Sequence, residues 1–180
     1  MHNKVVFRAA KAASQAGLPA LRFNFRGVGK SMGSFSDGIG EREDVRAALD
    51  YLRTRFPAVP VCLMGFSFGG EVGFRVGAND PRVVALVGLG VPVASTNLDF
   101  LRGVLKPKLI IQGTLDEFAP RAAVESFYDS LAEPKQIYWV HNADHFFTGK
   151  LEEVQRVIRE FLRSELIQVE ESGSRGSKSS

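Results

Sequence analysis

Cysteine is almost missing from this chain. Cys62 is the single one in 180 residues, which excludes an intramolecular disulfide framework, and its place in the apolar run "VCLMGF" predicts a buried structural thiol in a reducing compartment. Histidine is scarce too, with three in all, and no His, Cys and acidic side chains recur at metal-ligand spacing. The expectation is therefore neither metal nor organic cofactor. Long apolar runs are missing: nothing approaches the roughly 18 residues of a spanning helix, and the N-terminus lacks the apolar core of a signal peptide. A soluble, cytoplasmic protein without a membrane partner is expected. Excess charge is missing as well. The net charge is +3, its signs are interspersed, and no basic stripe carries aromatics, so there is no footprint for nucleic acid.

What is present suits an ordinary globular domain, at 44% hydrophobic and 24% charged residues. The length allows one substantial core. Residues 1–167 read as that core, and the polar, glycine-bearing "ESGSRGSKSS" predicts a disordered tail over 168–180. Val5, Val6, Ala9, Ala13 and Ala16 mark a helix that Gly17 and Leu18-Pro19 end. "ALRFNF" then reads as a strand. Val45, Ala48, Leu49, Leu52 and Phe56 mark a second helix opening with Glu41, Glu43 and Asp44, acids where the helix dipole favours them. "VPVCLMGF", "VVALVGLG", "KLIIQG" and "QIYWV" read as further strands, separated by helices near 69–78 and 120–131. A last helix carries Leu151, Val154, Ile158, Phe161 and Leu162. Five strands alternating with helices predict an α/β fold with a doubly wound, mostly parallel sheet, in which ligands sit beyond the carboxyl ends of the strands.

One stretch suggests a nucleotide site and fails the test. "FNFRGVGKS" ends in the letters of a phosphate-binding loop, but Asn24 stands where its first glycine belongs, and the glycines at 33, 38 and 40 oppose a helix opening at Lys30-Ser31. Met32 likewise occupies the third glycine position of a dinucleotide-binding loop.

The residues just after the strands carry different chemistry. Gly65-Phe66-Ser67-Phe68-Gly69 fits G-x-S-x-G between an apolar strand and a helix, the tight turn that lifts one hydroxyl above a sheet. The competing reading is that Ser67 only caps the following helix. A serine nucleophile needs a base and the base needs an orienting acid, in the chain order Ser, acid, His for this kind of turn. Asp116 follows "KLIIQG" and His145 follows "QIYWV". Glu117 is the alternative acid and His141 the alternative base; His141 is so close to the strand that it could still be paired in the sheet. Phe66, Phe68, Phe118, Phe146 and Phe147 flank these positions, either as core or as an apolar acyl pocket, with Phe66, Phe118 and Phe146 the candidates for substrate contact.

The motifs "FNFRGVGKS", "GFSFGG", "QGTLDEFAP" and "ADHFF" resemble those of the α/β-hydrolase superfamily, over about residues 4 to 166. Within it the chain is similar to small bacterial hydrolases akin to dienelactone hydrolase and to serine esterases and peptidases. Dienelactone hydrolase has a cysteine nucleophile where this chain has Ser67, so that substrate is not carried over. The resemblance implies that Arg26, Gly27 and Gly29 form a structural turn near the site. It also implies that the Phe68 amide is one oxyanion donor, and that the loop Val91 to Lys106 is too short for a lid.

A departure from the family follows. The resemblance implies a strand before the first helix, lying between "ALRFNF" and "VPVCLMGF", yet only three residues precede Lys4. The expectation is that Met1 is an internal methionine of a longer protein, that two central sheet edges lie unpaired, and that one oxyanion donor is lacking. The expected function is hydrolysis of a small acyl ester or thioester, a small-molecule acyl substrate, through an acyl-enzyme on Ser67. An acyltransferase with the same triad, or a non-catalytic hydrolase-like protein, are the alternatives.

Overall fold

The structure, a computed structural model, describes residues 3–176. Its elements run α1 (Lys4–Gln15), α2 (Ile39–Arg55), β1 (Val61–Phe66), α3 (Phe68–Gly77), β2 (Val83–Leu89), β3 (Lys108–Gly113), α4 (Arg121–Ser130), β4 (Lys135–Val140) and α5 (Leu151–Gly176), with one 3-10 turn at Asp99–Leu101. The four strands form one sheet in the order β1-β2-β3-β4, parallel at every pair.

Both faces of the sheet are covered, as its continuous apolar strands require. Period-two alternation divides the side chains between the faces. Ala85, Val87 and Leu89 of β2 join Leu109 and Ile111 of β3 in a core under α1 and α5, completed by Val5, Ala9, Val154 and Ile158. Leu86 and Ile110 point the other way, into a core with Val45 and Leu49 of α2 and Val72, Phe74 and Val76 of α3. Each Val, Leu, Ile or Phe among these contributes about 1.5–3 kcal/mol on burial. Three crossovers stepping in one direction along the sheet leave the strand C-termini, with the loops that follow them, at one edge.

The stretch "ALRFNF" is not a strand. Residues 18–25 run without ladder pairing, and β1 pairs with β2 alone, so four strands stand where five were expected. The physical reason lies between them: a cavity of about 390 Å³, lined by Phe23 and Phe25 on one side and by Cys62, Met64 and Phe66 of β1 on the other. A ladder needs a neighbour within about 5 Å, and the cavity lies between the two segments. The whole of β1 is consequently only half-buried despite its apolar sequence. Cys62 shares that partial cover, and desolvation pushes its thiol up to about 12, so it is protonated at neutral pH.

The expected tail over 168–180 coincides in part with the end of α5. Its backbone is helical through Gly176, and residues 177–180 lie outside the described residues. Extending a nucleated helix costs far less than starting one, so a polar sequence can continue it. The loop over 91–106 contains the 3-10 turn at Asp99–Leu101. No helix among the described residues is long and apolar enough to cross a membrane.

Candidate active site

The nucleophile turn is built from steric necessity. A Cβ at Gly65 would stand 2.3 Å from the Gly69 carbonyl oxygen and 2.5 Å from the Gly70 nitrogen, so only glycine lets α3 start this close to the end of β1. Between them Ser67 is held at φ 52° and ψ −124°, a backbone region that costs roughly 1–3 kcal/mol for a residue with a side chain. Its amide donates to the Leu89 carbonyl at 2.9 Å, and its carbonyl accepts from Gly70 at 2.8 Å. Ser67 is not an ordinary helix cap, since its hydroxyl makes no bond to the helix amides.

That hydroxyl instead lies 3.0 Å from Nε2 of His145, whose Nδ1 lies 2.9 Å from Oδ2 of Asp116. A carboxylate only accepts, so Nδ1 carries the proton and Nε2 is free to accept from Ser67 Oγ. The Asp116 side chain is fully enclosed and that of His145 nearly so, at 0% and 8% exposure. Asp116 Oδ1 also accepts from the Phe118 amide at 2.9 Å. The three residues therefore form one continuous chain ending at a partly accessible serine. Glu117 and His141 are exposed and stand outside it.

The loop bearing His145 is fixed from both sides. Leu115 donates to the Ala143 carbonyl at 2.9 Å and Asn142 to the Thr114 hydroxyl at 2.9 Å. A Cβ on Gly113 would come within 2.4 Å of that same Ala143 oxygen. On the other side, Asp144 accepts from the Thr148 amide at 2.9 Å and hydroxyl at 2.8 Å, bonds that hold its carboxyl below the usual carboxylate range. Nothing in the spacing of the sequence distinguished Asp144 and Thr148 from ordinary loop residues.

Aromatic rings surround the imidazole. The centroids of Phe118, Phe66 and Phe146 lie 4.8, 4.9 and 5.2 Å from it. Phe118 and Phe146 are half exposed and Phe66 half-buried, whereas Phe147 is fully buried and belongs to the core. Phe68 packs against Phe25 and Phe35 at 5.8 and 5.6 Å. Its backbone N–H opens α3, where the helix itself supplies no acceptor. The 390 Å³ cavity runs along the free edge of β1, lined by Phe66 and Phe68 but not by Ser67, so the reacting groups stand beside it on the surface of the strand-end edge.

The "RGVGKS" segment is a closed turn. Gly27 donates to the Met32 carbonyl and Ser31 to the Val28 carbonyl, both at 3.1 Å, so no helix starts at Lys30-Ser31 to hold a phosphate. Arg26 clamps Asp44 of α2 through Nε and Nη2, and its amide reaches the same carboxylate at 2.9 Å. These bonds lower Asp44. The adjoining turn is tied by buried Glu41, which burial pushes up but which the amides of Ser36 and Gly38, among others, hold below its ordinary value.

Similarity to known proteins follows the same architecture. The model of the alpha/beta hydrolase domain family matches residues 1–157. An alpha-beta serine hydrolase homologue from Coxiella burnetii superposes with a TM-score of 0.84 at 36% identity, covering 89% of this chain and 76% of that one. A serine hydrolase without a lid from Xanthomonas campestris gives 0.83 at 34%, covering 91% and 74%. An uncharacterized protein of Rickettsia prowazekii (strain Madrid E) is 33% identical over 171 residues, which are 90% of this chain and 72% of that protein. On its sheet, its turn and these relatives, the chain belongs to the alpha/beta hydrolase domain family.

Proposed function

We propose that this protein is a serine hydrolase that cleaves a small apolar acyl ester or thioester through an acyl-enzyme on Ser67. The observation that carries the reading is the unbroken chain from Ser67 Oγ through His145 to buried Asp116, at 3.0 and 2.9 Å. In the first half-reaction Ser67 Oγ attacks the acyl carbon while its proton passes to His145 Nε2. Asp116 holds the ring in the correct tautomer and stabilises the imidazolium that forms. The carbonyl oxygen becomes an oxyanion facing the Phe68 amide, where the start of α3 leaves a free N–H and a partial positive charge. The tetrahedral adduct then expels the alcohol or thiol, which takes the proton from His145. Water repeats the sequence: its oxygen attacks the acyl carbon, its proton goes to Nε2, and Ser67 leaves with that proton restored.

Phe66, Phe118 and Phe146 present aromatic surface around the imidazole, two of them half exposed, which favours an apolar acyl or leaving group over a charged one. No side chain in this arrangement needs a metal or cofactor for the steps described.

A fluorophosphonate probe and a short-chain p-nitrophenyl ester test the proposal together. The protein is expected to label at one site and to release nitrophenol, with both signals lost in Ser67→Ala and His145→Ala. Turnover that survives Ser67→Ala would refute the nucleophile assignment; folded protein that neither labels nor turns over would favour a non-catalytic hydrolase-like role. Product analysis with an added alcohol or amine would reveal acyl transfer in place of hydrolysis.

A further inference from the structure

We infer that Gln112 is a positioning residue of this site, a fourth member that holds the Asp116 carboxylate in the orientation His145 requires. The inference rests on the triad reading above and adds to it Gln112, the first residue of "QGTLDEFAP", to which the sequence reading gave no role.

Gln112 is the penultimate residue of β3 and is 1% exposed. A buried amide side chain is costly unless it is paired. Its Nε2 donates to Asp116 Oδ2 at 2.5 Å, and the assignment of nitrogen to that side of the amide follows from the partner, since a carboxylate oxygen cannot donate. This is the same oxygen that accepts from His145 Nδ1 at 2.9 Å. The other oxygen accepts from the Phe118 amide. The carboxylate is therefore held at three points by donors from a strand, a catalytic loop and its own turn.

The source of each donor explains what Gln112 does. Asp116 sits on the turn after β3, and the Phe118 amide belongs to that same turn, so the bond between them moves with the turn and cannot register it against the sheet. His145 sits on a separate loop and is the group to be oriented. Gln112 alone among the three donors belongs to a strand, one paired on both sides by β2 and β4. Its amide fixes the plane of the carboxylate relative to the sheet that also carries the Ser67 turn. Without it, the carboxylate retains partners but can rotate, and the line from Oδ2 to Nδ1 and on to Ser67 loses its alignment. Misplacement on the order of 1 Å in such a constellation costs about 10²-fold in rate.

Two variants and one measurement on the unaltered protein test this. Gln112→Met keeps length and volume and removes the donor; Gln112→His keeps a ring N–H donor. With the p-nitrophenyl ester, Gln112→Met is expected to lower kcat about 10- to 100-fold with KM within about 3-fold. Gln112→His is expected to recover most of that loss. In proton NMR the far-downfield His145 Nδ1–H resonance should move in Gln112→Met and return toward its native position in Gln112→His. In the native protein, the Gln112 side-chain amide protons should exchange slowly and shift when a fluorophosphonate modifies Ser67 and removes the hydroxyl that meets His145 Nε2. Native kcat in Gln112→Met, equal losses in both variants matched by equal losses of Tm, or Gln112 amide resonances unmoved by modification of Ser67 would each overturn the inference. The last of these needs no variant to fold. Failure of the underlying reading is distinguished separately, because Ser67→Ala would then retain turnover or the native protein would not label.

Discussion

Nε2 of His145 lies 3.0 Å from Oγ of Ser67, across 78 positions of chain. Neither residue is near the other in sequence; each stands just beyond the C-terminal end of a strand, and the parallel sheet brings those ends to one edge. The contact is thus a product of topology, and it depends on the acid behind the imidazole.

Asp116→Asn tests that dependence. The amide has the size of the carboxylate but can donate, which favours the wrong histidine tautomer. The expected result is a fall in kcat of roughly 10³–10⁴-fold with little change in KM. Steady-state ester hydrolysis and the rate of fluorophosphonate labelling should fall together.

Gly113→Ala is expected to damage catalysis through the backbone. The added Cβ meets the Ala143 carbonyl oxygen at 2.4 Å and the Asp144 oxygen at 2.8 Å, so the loop carrying His145 must retreat. A stability loss of about 1–3 kcal/mol is expected, with activity reduced about 10²-fold. Thermal unfolding alongside kinetics checks both; native kcat would show that the loop has room to give.

The neighbouring phenylalanines should separate into two kinds. Phe118→Ala and Phe146→Ala remove half-exposed rings, so each should leave Tm nearly native while raising KM for apolar esters several-fold. Phe147→Ala empties a fully buried position and should cost about 3–5 kcal/mol. Equal Tm losses in all three would place the outer rings in the core and remove them from substrate contact.

Acid should destabilise the fold in a defined window. Asp44 and Asp80 are lowered by hydrogen bonds from Arg26 and Arg82, and Asp144 by those from Thr148. Each binds its proton more weakly folded than unfolded, so its stabilisation is complete above the ordinary carboxylate value of about 4 and is lost as pH falls through the lower folded value. Urea unfolding followed downward from neutral pH should show the loss, and Asp44→Asn should make it shallower. An unchanged slope in that variant would mean the Arg26 clamp contributes nothing to acid stability.

Amide exchange should report the unpaired edge of β1. Among the described residues this strand pairs only with β2, so every second amide along it points toward the cavity and away from the ladder. Hydrogen–deuterium exchange resolved to single amides should alternate between fast and slow in β1 and remain uniformly slow in β3. Uniform protection of β1 would mean that something covers its outer edge in solution.

Much of this molecule is written in local pattern. Apolar runs of strand length, apolar helical stripes and the G-x-S-x-G turn were enough to place Ser67, Asp116 and His145 each after a strand, in that chain order. Those signals are local because they arise from side-chain periodicity and from the steric demand for glycine at 65. "ALRFNF" has the same local character as a strand and is not one, because a strand exists only through hydrogen bonds to a neighbour, and its neighbour position is a cavity. Gln112 reads as one polar residue in an apolar run; only the folded turn brings Asp116 to it at 2.5 Å. The same holds for Gly113, whose value depends on the carbonyl of Ala143, 30 positions away in sequence and in contact in space. By itself the sequence determined which residues could do the chemistry and in which order they come. Tertiary structure decided which of them meet and what holds them there, because hydrogen-bond geometry and close backbone approach are set by distances between segments that no local pattern encodes.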